Sequence, residues 1–249
     1  MSDSTAIAHG AAADAHHEHP HYLRHHFESV EQQTDASNFA MWLFLLTEVM
    51  FFGGLFTLYM IYRNWYYPAF VAGSHQLNVM LGGINSVLLI TSSFTMTIAL
   101  WCAQTKRKNA LMLCLVATFV LGLVFLGIKG TEYKEKFEKH HFPGANYSIE
   151  AFVNPASDPV AVAAGDKPLP LDVARHTEVY FDLYFAMTGM HALHMIVGMG
   201  LLLFIIFRAR AGAYLDGNTA YLNYFGLYWH FVDIIWIFLF PLLYLINRH

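Results

Sequence analysis

Phe39 to Tyr62, FAMWLFLLTEVMFFGGLFTLYMIY, is a run of 24 residues whose polar members are its threonines, its tyrosines and one glutamate, Glu48. As an α-helix rising 1.5 Å per residue, such a run crosses a hydrocarbon core of roughly 30 Å. Glu48 then falls near mid-membrane, where an ionised side chain costs on the order of 2.5–3.5 kcal/mol or more. The chain has to supply a neighbour for this carboxyl or keep it protonated. Acids in this position mark functional sites by default; the plainer alternative is a protonated glutamic acid that only helps helices pack.

The rest of the chain agrees with a membrane setting. Hydrophobic residues make up 56% and charged residues 13%, about half the charged share of a soluble domain. The net charge of −4 and the lack of a basic face argue against nucleic acid as a partner. Two cysteines, Cys102 and Cys114, are too few for a disulfide framework or a thiolate metal site.

Residues 1–37 are polar and Ala-rich and hold seven of the fifteen histidines. They lack the apolar core of a secretory signal and are expected to form a cytoplasmic, solvated, flexible tail. After Phe39–Tyr62 come aromatics to Tyr67 and then Pro68, an interfacial belt. Further apolar runs cover about 81–102, 110–128, 179–207 and 221–246, so the expected fold is all-α: a polytopic bundle of five transmembrane helices. The second run carries Gly82, Gly83, Asn85 and a Ser/Thr-rich middle, residue types that let helices approach closely and bond across the contact. Lys106, Arg107 and Lys108 occupy one short connection, and Arg208 and Arg210 follow the fourth run. Cationic short loops mark the cytoplasmic side, which puts the N-terminus inside and the C-terminus and the Pro-rich stretch 129–178 outside. Glu132, at the start of that stretch, reads as a solvated interfacial charge.

Four polar sites fall in or beside the spans: Glu48; His191 and His194; His230 and Asp233; and Asp182 near an outer end. The two pairs are spaced i, i+3, which sets each on one helical face. Two readings stay open. His191, His194 and His230 can be imagined holding copper or haem; the same residues also serve as interhelical hydrogen-bonding groups. Arg208 at the cytoplasmic interface is placed to meet anionic headgroups or simply to set topology. Phosphate loops, dinucleotide motifs and serine elbows are missing.

WLFLLTEVMFFGGLF around Glu48, INSVLLITSS, GTEYKEKF, YFAMTGMHALHMIVG and YWHFVDIIWIFLF together resemble subunit III of the haem–copper respiratory oxidases, in order along the chain from about Asn38. Members of seven spans exist; five runs resemble the shorter bacterial form, which includes subunits of quinol oxidases. The resemblance implies a non-catalytic accessory subunit of a proton-pumping cytochrome c oxidase, with no haem, copper or other metal of its own. Those cofactors would belong to partner subunits. It further implies contact with subunit I chiefly and subunit II, residence in the bacterial inner membrane, bound phospholipid, support of proton uptake, and in some cases a place in a larger respiratory supercomplex. Glu48 would be the carbodiimide-reactive acid of the family. Arg208 would contact lipid, and His191, His194, His230 and Asp233 would be structural or lipid-associated. The alternatives carried forward are a quinol oxidase subunit, an accessory protein of a nitric oxide reductase and, from another class, an autonomous membrane ion or proton carrier using Glu48.

Overall fold

A computed structural model describes residues 29–144, 147–165, 167–214 and 219–247. The histidine-rich part of the tail therefore lies outside the described residues. In chain order the elements are α1 (Val30–Trp65), α2 (Tyr67–His75), α3 (Val79–Gln104), α4 (Lys108–Glu138), α5 (Glu150–Val153), a 3₁₀ turn (Pro155–Ser157), α6 (Pro159–Ala164), α7 (Leu171–Arg175), α8 (Thr177–Arg210) and α9 (Ala220–Tyr244). Among the described residues five helices are long and apolar enough to span a membrane, within 31–65, 79–104, 108–138, 171–210 and 220–244. The chain is a multi-pass membrane protein.

Two units divide the chain, Met1–Trp42 and Leu43–His249. The described part of the first is helical from Val30 on, nine residues ahead of the apolar run; Gln32 N–H donates to Ser29 Oγ at 3.1 Å as an N-cap.

In the second unit, α3 packs on α4 and α9, and α8 packs on α4 and α9, giving a closed ring of four helices. Trp229 and Trp236 of α9 are fully buried at its centre. Each indole N–H donates to a serine of α3, Trp229 to Ser92 at 3.2 Å and Trp236 to Ser86 at 3.1 Å. Small residues make this possible: a Cβ on Gly82 would stand 2.8 Å from the Phe240 ring, and one on Gly122 would stand 2.7 Å from Met199 Sδ. The hydroxyls expected to bond between helices do so at Thr95–Thr118, 2.8 Å across α3 and α4.

Within this unit α1 meets the ring through long side chains. Phe52 lies 5.3 Å from the His194 ring and 6.3 Å from Phe231, and Phe56 lies 6.4 Å from Phe238. Pro241 sits in the last turn of α9, whose final carbonyls have no helical partner. Tyr59 of α1 donates its hydroxyl to Leu242 O, Tyr180 of α8 donates to Leu243 O at 2.8 Å, and Ser74 reaches Ile246 O at 3.4 Å. Three elements thereby cap one helix end.

α4 does not stop where its apolar run stops. It continues ten residues past Ile128 to Glu138, into the stretch expected to be an extramembrane loop. Its buried stripe is Leu111, Leu115, Thr118, Gly122, Phe125, Lys129, Glu132, Lys136. One unbroken 3–4 spacing runs from apolar into charged residues.

Candidate functional site

Glu48 faces inward from α1, and its Oε2 lies 3.0 Å from His194 Nε2 on α8. The side chains are 19% and 15% exposed, so the pair is neither sealed nor open. His194 Nδ1 lies 2.8 Å from the carbonyl of Met190, one turn back. A carbonyl only accepts, so Nδ1 carries a proton. Nε2 then accepts from a protonated Glu48 or, as imidazolium, donates to the carboxylate. Either way the pair is neutral overall and shares one proton, which answers the mid-membrane cost of an isolated acid. Phe52 covers the imidazole edge-on, and Tyr228 of α9 donates its hydroxyl to His194 O at 2.9 Å. The pair is fixed from α1, α8 and α9.

The other expected site residues do not gather around it. His191, one turn before His194, is 1% exposed between Phe125 at 5.5 Å and Trp236 at 5.2 Å, and neither ring nitrogen has a hydrogen-bond partner. His230 turns to α3, with Nδ1 2.6 Å from Ser93 Oγ and Nε2 3.4 Å from Thr97 Oγ1. The three histidines thus address three different neighbours. Among the described residues no three His, Cys, Asp or Glu side chains converge as a metal site would.

Asp233 faces the hydroxyls of Ser92 and Ser93 across the contact between α9 and α3. It is 2% exposed and both carboxyl oxygens lack a partner. The hydroxyls nearest it, Ser92 and Ser93, are engaged elsewhere: Ser92 donates to Leu89 O at 3.0 Å, and Ser93 is taken by His230.

Arg208, 14 residues beyond His194, is roughly 21 Å further along α8. It is exposed, its guanidinium 5.5 Å from the Tyr221 ring centroid and 5.9 Å from that of Phe204. Asp182 is also exposed. It is a surface group.

Glu132 corrects the reading of a solvated charge, because it is 1% exposed. Its Oε2 takes a hydrogen bond from Lys129 at 3.1 Å. Its Oε1 takes two more, from Tyr184 at 2.9 Å and Tyr244 at 2.6 Å. Lys129 in turn donates to both tyrosine oxygens, at 3.1 and 2.9 Å. This closed network ties α4, α8 and α9 together, and every polar atom in it has a partner. One turn on, Lys136 donates to Gln76 O. A signal for it exists in the sequence: Lys129, Glu132 and Lys136 extend the apolar stripe of α4 in phase.

A family profile described as Cytochrome c oxidase subunit III matches residues 172–247. Cytochrome c oxidase subunit 3 of Synechocystis sp. is 29% identical, covering 94% of this chain and 80% of its own length. The protein of the same name from Thermostichus vulcanus is 28% identical over 99% of this chain and 96% of itself. A probable quinol oxidase subunit 3 of Staphylococcus haemolyticus is 24% identical over 90% of this chain and 98% of itself.

Proposed function

We propose that this chain, which resembles subunit III of the haem–copper respiratory oxidases along nearly its whole length, is the accessory third subunit of a bacterial, proton-translocating cytochrome c oxidase. It packs against subunit I, contacts subunit II and contributes no redox centre; haem and copper sit in those partners. The observation that carries the reading beyond similarity is the Glu48–His194 pair, a neutral, proton-sharing dyad at mid-span. Within such a pair one proton can move between carboxyl and imidazole without creating a lone charge in lipid, which suits a subunit that supports proton uptake during oxygen reduction. Arg208, exposed at the end of α8, is assigned to phospholipid headgroups, each such contact being worth about 1 kcal/mol. The cationic connections at 106–108 and 208–210 support a cytoplasmic N-terminus and an external C-terminus in the bacterial inner membrane.

The probable quinol oxidase relatives favour one second reading, the same role in a quinol oxidase, with the electron donor selected by other subunits. The test is gentle isolation of the chain from its native membrane, with identification of its partners and a reduced-minus-oxidised spectrum. Haem bands that remain with larger partners, and are absent from the chain stripped away alone, are the expected result. Haem or copper retained by the isolated chain overturns the assignment, and proton flux through vesicles holding this chain alone points instead to an autonomous carrier.

A further inference from the structure

Where α4 ends, the chain is pinned at the backbone and loaded at one side chain. His140 takes a left-handed φ of 54°, and its carbonyl accepts from Ser148 N–H at 2.9 Å. His141 N–H donates to Lys136 O at 3.0 Å, so the His141 main chain is held while its ring alone is free to choose a place. That ring is 2% exposed. It stacks 5.1 Å from Phe181 of α8 with the planes 27° apart, 5.5 Å from Phe152 of α5, and 6.4 Å from Tyr147. It bridges α5 and α8 beside a direct contact of Phe152 with Phe181 at 6.4 Å. Nδ1 is buried without a hydrogen-bond partner.

On its other side His141 borders a recess of about 360 Å³, shared with Lys139, Ser148, Glu150, Ser157 and Asp158. One carboxylate oxygen of Asp158 caps α6 by accepting from Val160 N–H at 3.0 Å; Glu150 is exposed. An apolar slot and an acid-lined recess therefore flank one imidazole.

We propose that His141 is a proton-operated latch: neutral, it fills the aromatic slot and holds the extramembrane segment around α5 to α8; protonated, it leaves the slot for the recess, where Asp158 and Glu150 receive the imidazolium. The proposal stands apart from the oxidase reading and holds or fails without it.

The charges around the slot set the sign. Lys136 of α4 and Lys139 at its end oppose a charged ring; Asp158, the N-cap of α6, and Glu135 of α4 favour it, but Glu135 is bound to Lys139 at 3.1 Å. From α8, Glu178 and Asp182 act on Tyr147. Burial first, then the two lysines, hold His141 down at about 4, against 6.5 for an imidazole in water. The closed form keeps its full advantage above pH 6.5. Between 6.5 and 4 each unit of acidification shifts the balance about tenfold toward release, and below 4 the shift stops.

Hydrogen exchange at the Ser148, Phe152 and Val153 amides, in the chain within its native membrane complex and corrected for intrinsic rates, reads this directly. Opening should rise roughly tenfold from pH 7.5 to 5.5, and His141→Phe, which keeps a ring in the slot, should be flat. His141→Gln, unable to titrate, serves if the phenylalanine variant does not assemble. A flat wild-type response overturns the latch. So does an equal rise in either variant, which would assign the pH dependence to the carboxylates.

Discussion

Two ionisable clusters sit in the same helical unit and are built on opposite plans. Lys129, Glu132, Tyr184 and Tyr244 form a sealed network in which a full positive and a full negative charge satisfy each other and two hydroxyls fill the remaining valences. Glu48 and His194 form a half-buried pair of two members, each about a sixth exposed, with a proton between them. In the first, all donors and acceptors are spoken for, and nothing can enter or leave without breaking several bonds. In the second, one proton has two seats of similar geometry. Satisfaction and exposure, more than the presence of charge, separate a clamp from an exchange site.

The largest effect should come from unbalancing the clamp. Glu132→Ala leaves the Lys129 ammonium buried beside two tyrosines with no anion, and breaking a buried pair this way costs about 3–5 kcal/mol. Thermal unfolding of the detergent-solubilised complex should fall sharply. The double variant Lys129→Met with Glu132→Leu removes both charges and should recover most of that loss, since apolar replacement of a whole buried pair is often close to neutral. A double variant as unstable as the single one would mean that packing at α4, and not charge balance, is what matters there.

Why one cluster was legible in the sequence and the other was not follows from hydropathy. Glu48 stands alone in a 24-residue apolar run, and the cost of a lone acid in lipid announces it. The i, i+3 histidines were visible too, although spacing could not say that His191 turns into the core while His194 turns to α1. Glu132 begins a polar stretch, and hydropathy ends a span where charges begin. The phase of the stripe continues unbroken, with Lys129 four residues after Phe125, Glu132 three further and Lys136 four further. Composition changed there and periodicity did not. The five spans were legible for the same reason Glu48 was; the end of α4 was hidden because charges that pair inside a bundle look like charges that meet water. Asp233 shows the converse limit, a carboxyl whose nearest hydroxyls are committed to other partners.

Single-bond deletions sharpen the contrast at lower amplitude. Tyr244→Phe removes one donor from Glu132 and one acceptor from Lys129 while leaving the charges paired, and should cost about 1.5–3 kcal/mol, as hydrogen bonds to charged groups do. Tyr59→Phe removes only the hydroxyl that caps Leu242 O; about 1 kcal/mol is expected, with α1 loosened first. If urea or heat unfolding of the two variants is indistinguishable, the network has no charge-assisted strength to speak of.

Glu48→Gln should have the smallest effect on stability and the most specific effect on chemistry. Glutamine retains the length of the side chain, and its amide N–H₂ still donates to His194 Nε2, so the contact between α1 and α8 survives with a change of less than about 1 kcal/mol. What disappears is the shared proton, because an amide does not titrate. Reaction with a hydrophobic carbodiimide, which takes the proton of a carboxylic acid in an apolar site and is then attacked by its carboxylate oxygen, should vanish in this variant and persist in Glu132→Gln, where the acid is sealed under two tyrosines and a lysine. Labelling that survives Glu48→Gln would move the reactive acid elsewhere, and Asp233, buried and unpartnered on α9, would be the first place to look. Labelling that falls in both variants and vanishes in neither would mean that the closed network opens on the timescale of the reaction, erasing the distinction between clamp and exchange site.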